Sequence, residues 1–280
     1  MRLFHKLQKA RLLYKAKILN NGIKVFWWRK NKNFGDLLTP ELFCSYGYTP
    51  LYSDVKEADI VVVGSLIHML PSDYSGIILG TGLIDDTKAS LKYAKFVSVR
   101  GELSKKNLEL PLSTPTGDMG LLAGRLLRSR LVKKEYSVGI VPHFVDKNNP
   151  WLTEKKIELG ASGCIIDVQN SAKNVISCIS KCDLIVSSSL HGIIVADALG
   201  IPNVWIELSD KVIGTGFKFD DYNSSIDYEQ IPFRVKPTTK IIELELSKSN
   251  KNSDRISEKI NQLDSLFRKT LLSIGNNKRN

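Results

Sequence analysis

A chain of 280 residues with 42% hydrophobic and 25% charged content can bury one large core or two small ones, as a globular protein does. No apolar run approaches the ~18 residues that span a bilayer, and no signal-peptide core precedes a small-residue cleavage site, so a cytoplasmic protein is expected. The net charge of +11 sits at the ends: residues 1–20 carry six basic and no acidic groups, 233–280 carry eleven and five, and the body holds 23 against 24.

Residues 1–20 interleave Phe4, Leu7, Leu12, Leu13, Ile18 and Leu19 with Arg2, Lys6, Lys9, Arg11, Lys15 and Lys17, the pattern of a basic amphipathic helix. Such a helix either lies on an anionic membrane surface or packs on its own body with the basic face in water. A strand is predicted over 23–28 and a helix over 38–46, with Thr39-Pro40-Glu41 as its cap and first-turn proline. Short apolar runs at 60–64, 77–80 and 96–99 are continuous rather than alternating, which indicates buried parallel strands. Helices are predicted over 101–110 and 119–131, and 133–135 is a polar break. A second series follows: strand 138–141, helix 151–159, strand 164–168, helix 172–181, strand 184–187, helix 191–199 and strand 204–206. A polar linker at 247–253 leads to an amphipathic helix from 254, with Ile256, Ile260, Leu263, Phe267 and Leu271 on one face. The expected organisation is α/β: a basic helix over 1–20, Rossmann-like halves over 21–132 and 133–235 with a cleft between them, and a linker and terminal helix over 236–280.

Cys44, Cys164, Cys178 and Cys182 are scattered. Cys178 and Cys182 fit one helix face better than a redox motif, and no histidine or cysteine pair completes a zinc pattern. Reduced thiols and metal-independent chemistry are expected. Basic ends attract phosphate polymers or anionic lipid, but the body has no zinc-finger or RNP-type motif, so nucleic acid is not an expected partner.

The most informative stretch is Ser187-Ser188-Ser189-Leu190-His191-Gly192, which falls at a predicted strand-to-helix turn. Helix N-termini there offer unpaired N–H groups and a positive dipole end to an anion, and a histidine on the first turn exchanges protons near neutral pH. Asn33-Phe34-Gly35-Asp36 follows the first strand, where Asp36 either caps a helix or meets sugar hydroxyls. Gly64-Ser65 and Gly80-Thr81-Gly82 also follow strands and would let a ligand approach the backbone, but no full G-x-G-x-x-G or P-loop lysine is present. Arg100 sits at a strand end, placed either for bidentate contact with carboxylate or phosphate or for a surface salt bridge. Gly117-Asp118 is a further polar turn opening a helix. His143, after Val141-Pro142, is a second strand-end histidine; His5 and His68 have no such context. In Phe217-Lys218-Phe219-Asp220-Asp221-Tyr222, Lys218 suits a phosphate and the aromatics a sugar, unless the segment is simply a packed loop.

Asn33–Asp36, Ser98–Gly101, Gly117-Asp118, Gly139–His143, Ser187–Gly192 and Phe217–Tyr222, in that order over roughly residues 23–230, resemble the polysaccharide pyruvyl transferase family, most closely its exopolysaccharide and succinoglycan-type branch. The resemblance implies a GT-B-like fold of two Rossmann-like domains. It implies transfer of the enolpyruvyl unit of phosphoenolpyruvate to a sugar of a capsule, exopolysaccharide or lipopolysaccharide precursor, giving a pyruvate ketal and phosphate, with no cofactor beyond that donor. The acceptor would be a sugar or lipid-linked oligosaccharide, reached in the cytoplasm or peripherally at the inner membrane face. His191 is then the general acid/base or phosphate partner, and Asp36 orients or deprotonates the acceptor. Arg100, the N-terminus of the 191–199 helix with Ser188, Ser189, Leu190 and Gly192, and Lys218 anchor the anions, while His143, Asn33 and Gly35 support. Other branches carry arginine where this chain has Ser189, which makes Lys218 the candidate for the second positive charge. The competing expectations are a GT-B glycosyltransferase using a nucleotide sugar and a non-catalytic glycan- or anion-binding protein.

Overall fold

The computed structural model describes residues 14, 16–127, 132–214 and 216–277. Its first half forms a five-stranded parallel sheet from β1 (Gly22–Phe26), β2 (Thr49–Tyr52), β3 (Ile60–Val61), β4 (Ile77–Leu79) and β5 (Lys95–Ser98), in the order β2-β1-β3-β4-β5. The second half forms another from β6 (Tyr136–Val141), β7 (Gly163–Ile165), β8 (Cys182–Ser187), β9 (Asn203–Glu207) and β10 (Phe233–Arg234), in the order β10-β9-β8-β6-β7. Helices α1 (Phe34–Ser45), α2 (Glu102–Asn107), α3 (Pro150–Leu159), α4 (Ala172–Ser180), α5 (Leu190–Ala198), α6 (Phe217–Ser224), α7 (Ile241–Leu246) and α8 (Ser253–Asn277) join and cover them. Two parallel sheets with helical crossovers fit two Rossmann-like halves. Strands such as Ile60-Val61 and Leu184-Ile185-Val186 are buried throughout, which is why their sequences run apolar without alternation.

Several local expectations are corrected. α1 starts at Phe34, capped by Asn33, whose Oδ1 accepts the Gly35 N–H at 3.3 Å. Thr39 and Pro40 lie inside it, and Pro40 has no N–H to give the carbonyl of Asp36 one turn earlier. β2 escaped notice because Pro50 argues against a strand; it is an edge strand, where proline is tolerated. The helix expected over 119–131 is a 3-10 helix over Met119–Leu126, and 128–131 lie outside the described residues. Residues 217–222 form α6 rather than a loop, β10 and α7 are additional, and Cys182 opens β8 rather than sharing a helix face with Cys178. Of the expected basic helix over 1–20, only Tyr14 and residues 16–20 are among the described residues: Ala16 is buried, while Tyr14, Ile18 and Leu19 are exposed.

The largest apolar core runs through both halves. It joins Val25, Leu38 and Phe43 of the first to Ile185, Ile193 and Ile194 of the second, with Met119 and Leu122 between. α8 adds Leu263, Phe267 and Leu271, and Phe267 packs edge-on against Phe43 and Tyr46 at 5.2 and 4.8 Å. The segment expected as a free linker before α8 is pinned. Lys251 Nζ lies 2.8 Å from Asp197 Oδ2, both side chains buried, and the Ser249 N–H donates to the Asn203 carbonyl at 2.8 Å. Asp197 also accepts from Tyr222 Oη and Asn203 Nδ2, each at 2.7 Å. Among the described residues, no helix is long and apolar enough to cross a membrane.

A buried ion pair joins the halves. Arg100, just after β5, directs Nε to Asp221 Oδ2 on α6 at 2.9 Å, and both side chains are fully buried. Its remaining nitrogens donate to Ser65 Oγ at 2.7 Å and to the Leu83 carbonyl. Asp221 also accepts the Ser104 N–H and hydroxyl at 2.7 and 2.6 Å. Gly101 permits this approach, because a Cβ there would lie 1.6 Å from the Asp221 carbonyl oxygen. Removing one partner strands a buried charge, which costs about 3–5 kcal/mol, whereas an exposed pair is worth under about 1 kcal/mol. Asp221→Ala should therefore lower unfolding free energy in urea by about 3–5 kcal/mol. Lys24→Ala, which breaks the exposed Lys24–Glu57 pair, should barely move it. Equal effects from the two variants would disprove the role of Arg100 and Asp221 as a lock.

Candidate functional site

A cavity of about 360 Å3 opens where loops from both sheets meet. The first half contributes Asn33, Asp36 and Ser65, and the second contributes His143, Ser189, His191 and Lys218. Parallel sheets gather their strand-end loops at one edge, which is why residues so distant in sequence converge here.

The turn before α5 builds the central wall. Ser187 Oγ accepts the Ser189 N–H at 3.0 Å and lies 2.8 Å from the Val141 carbonyl that receives its proton. Gly192 packs directly on this hydroxyl, since a Cβ there would lie 2.3 Å from it. Ser189 is the N-cap but makes no side-chain cap bond, so its hydroxyl is available to the cavity. Ser188 turns away: it donates to Asp146 Oδ2 at 3.0 Å and accepts the His143 N–H at 2.9 Å, tying the end of β8 to the loop after β6. His191, on the first turn of α5, packs against the first turn of α1. Phe34 meets its ring edge-on at 6.3 Å, and a Cβ on Gly35 would lie 2.2 Å from His191 Nδ1. At the end of β3, Gly64 adopts φ +105°, and a Cβ there would lie 3.1 Å from Asp36 Oδ1.

Burial and crowded positive charge set the protonation states. Burial pushes His191 down to about 3, and Arg100, Lys218 and His143 push the same way. His143 falls to about 4 through burial and Lys218. Lys218 falls to about 8, again through burial first and then Arg100, with Asp36 and Asp146 opposing. Among the described residues Lys218 has no ion-pair partner within 4 Å; its ammonium lies 5.9 Å from the ring centre of Phe219. Asp36 moves the other way, raised by burial to about 7 although Asn33 and Lys218 favour its anion. At neutral pH the site thus holds neutral imidazoles, a readily deprotonated lysine and a half-ionised carboxyl.

Of the residues expected to bind substrate, Asn33, Asp36, His143, Ser189, Leu190, His191 and Lys218 line the cavity. Gly35 and Gly192 stand behind its wall, where their missing side chains let His191 and Ser187 pack. Ser188 is committed to Asp146. Arg100 is corrected: it does not line the cavity, because its guanidinium is spent on Asp221, Ser65 and Leu83. It reaches the site only through the Ser65 hydroxyl, which lines the cavity and is left free to donate its own proton there. Gly64-Ser65 carried a signal as a strand-end turn. His68 carried none; it lies in a 3-10 turn over Ile67–Met69 and lines the cavity from an exposed position, its pKa lowered by partial desolvation. Trp28, Met69, Ile84 and Lys211 are among the further wall residues that had not been expected.

A family model for polysaccharide pyruvyl transferase matches residues 3–210. The succinoglycan biosynthesis protein ExoV of Rhizobium meliloti (strain 1021) is 27% identical over 222 residues, covering 77% of this chain and 68% of ExoV. An uncharacterized protein of Acanthamoeba polyphaga mimivirus is 31% identical over 176 residues, covering 58% of this chain and 59% of that protein.

The folded protein keeps the Asp36 proton up to about pH 7, whereas an unfolded aspartate releases it near 4. Burying Asp36 therefore costs stability progressively as pH rises from about 4 to about 7. Asp36→Asn escapes that loss. In urea titrations it should gain on the wild type between about pH 4 and pH 7, and a pH-independent difference would contradict the assignment.

Proposed function

The chain belongs to the polysaccharide pyruvyl transferase family, and on that premise we propose that it transfers the enolpyruvyl unit of phosphoenolpyruvate to a sugar of a surface-polysaccharide precursor. The products are a pyruvate ketal and phosphate. The observation that carries the proposal is the crowding of His191, His143 and Lys218 around one cavity, all three pushed toward their neutral forms, with the charge of Arg100 behind the wall adding to the effect on His191 and Lys218. Such a site is built for an anion. A bound phosphate and carboxylate would raise all three groups and recover the energy that burial costs them.

Phosphoenolpyruvate carries both anions. Lys218 and the first-turn N–H groups of Leu190 and His191, which have no intrahelical acceptor, hold them, with the Ser189 and Ser65 hydroxyls as further donors. Ser189 stands where other branches carry arginine, so Lys218 and the dipole of α5 carry that charge. Asp36, half-ionised near neutrality, accepts a proton from an acceptor hydroxyl. His191 delivers one to the methylene carbon as the two C–O bonds of the ketal form at the neighbouring carbon and the bond from that carbon to the phosphate oxygen breaks. Of the two hydroxyl protons released, one replaces the proton placed on carbon and the other leaves with phosphate. No further cofactor or metal is required. His143, its ring tilted against that of Phe144 at 4.4 Å, supports the anion from the side.

In this arrangement the two halves, divided near residue 132, face each other in the GT-B manner, with the acceptor on the first half and the donor on the second. The acceptor is a sugar or lipid-linked oligosaccharide, and the basic N-terminal segment brings the enzyme peripherally to the inner membrane face where such acceptors lie.

Incubation with phosphoenolpyruvate and a panel of oligosaccharide acceptors should release phosphate. Lys218→Met should raise the KM for phosphoenolpyruvate by about tenfold or more, the ~1.5–3 kcal/mol of a charge-assisted hydrogen bond. No release across the panel, together with a melting temperature raised by a nucleotide sugar and not by phosphoenolpyruvate, would assign the site to a glycosyltransferase.

A further inference from the structure

The imidazole of His191 meets two different surroundings. The ring lines the cavity, yet its Nε2 is buried and has no hydrogen-bond partner among the described residues. The ring therefore faces the cavity through its other atoms, Nδ1 among them. Oδ2 of Asp118 is likewise buried and unpartnered. The carboxyl is held in place through Oδ1, which accepts the Gly120 N–H at 2.7 Å and caps the 3-10 helix that packs on α5. Gly120 is the shared wall. A Cβ there would lie 3.0 Å from Asp118 Oδ1 and 3.6 Å from His191 Cδ2, the ring carbon bonded to Nε2, with Ile194 Cγ2 also at 3.0 Å. No side chain from Gly120 separates the carboxyl from the buried edge of the imidazole. Each orphaned buried polar atom is costly, and a carboxyl oxygen and a ring nitrogen would satisfy each other if the two side chains turned to meet.

We propose that Asp118 is the positioning residue of His191: its carboxyl exchanges a proton with Nε2 while Nδ1 serves the cavity. The proposal rests on His191 handling protons in pyruvyl transfer. The step balances. The Nδ1–H proton goes to the methylene carbon of the enolpyruvyl unit, Nε2 takes the carboxyl proton, and the imidazole ends neutral with its tautomer exchanged. Asp118 is left as an anion facing Arg100, and a hydroxyl proton of the acceptor returns by the reverse route. This resolves a difficulty in the site, where a lone neutral imidazole has no proton to spare. Burial raises Asp118 to about 6 against the pull of Arg100, with Asp221 adding to the rise. His191 is lowered by burial and by Arg100, Lys218 and His143. An added proton therefore settles on the carboxyl first.

The test is 15N NMR of the histidine rings, of which the chain has four, with the His191 signals identified by their loss in His191→Gln. In the wild type, the His191 ring signals should move with a midpoint near pH 6, following Asp118, without reaching imidazolium values. In Asp118→Asn, which keeps an oxygen for the Gly120 N–H, that transition should vanish, and in Asp118→Glu it should return in part. Turnover of Asp118→Asn should fall about a hundredfold, the scale of a positioned proton donor, while phosphoenolpyruvate still raises its melting temperature. Wild-type signals flat from about pH 4.5 to 8, or a transition that survives in Asp118→Asn, would overturn the pairing. The spectra need no turnover: a pH 6 transition in a protein that releases no phosphate would leave the pair standing and reject pyruvyl transfer.

Discussion

Everything in the site hangs from the Arg100–Asp221 ion pair. Asp221 and Lys218 are one turn apart on α6, so the bond that holds α6 to the first half also sets where the Lys218 ammonium enters the cavity. The same guanidinium holds the Ser65 hydroxyl at the cavity wall and adds to the positive field that keeps His191 neutral. A charge buried this completely contributes through geometry more than through net stability, because its desolvation offsets much of its attraction. Its worth lies in joining two sheets whose loops must meet within ångströms.

The apolar core extends the same constraint. Met119 and Leu122 pack against α1 and α5 at once, so the helix bearing Asp36 and the helix bearing His191 share a floor. Gly35 brings those helices so close that one methyl group would strike the imidazole. The halves are thus joined below the cavity by a continuous apolar core.

Much of this was legible in the chain. The continuous apolar runs announced parallel strands, and the Ser187–Gly192 block announced a strand-to-helix turn because strand, glycine and first-turn histidine are all local signals. Asn33 through Asp36 drew attention by its place after a strand, and Asn33 and Asp36 do line the cavity, although the cap was assigned to Thr39. Arg100 was misjudged because a guanidinium at a strand end looks the same whether its partner is a ligand or an aspartate 121 residues away; only the fold supplies Asp221. Ser188 and Ser189 are adjacent and chemically identical, yet one faces Asp146 and the other the cavity, a difference that lies in backbone direction and not in residue type. His68 gave no sign, since its turn belongs to no periodic element.

α8 runs back from the second half to lay Phe267 on Phe43 and Tyr46 of the first. A chain emerging from the ribosome folds from its beginning, but here the first sheet's helical cover is completed by a helix made after the whole second sheet. Until α8 emerges, the Phe43 face of α1 stands open to water and to other nascent chains. The partly made protein is thus a natural client for chaperones that shield apolar surface.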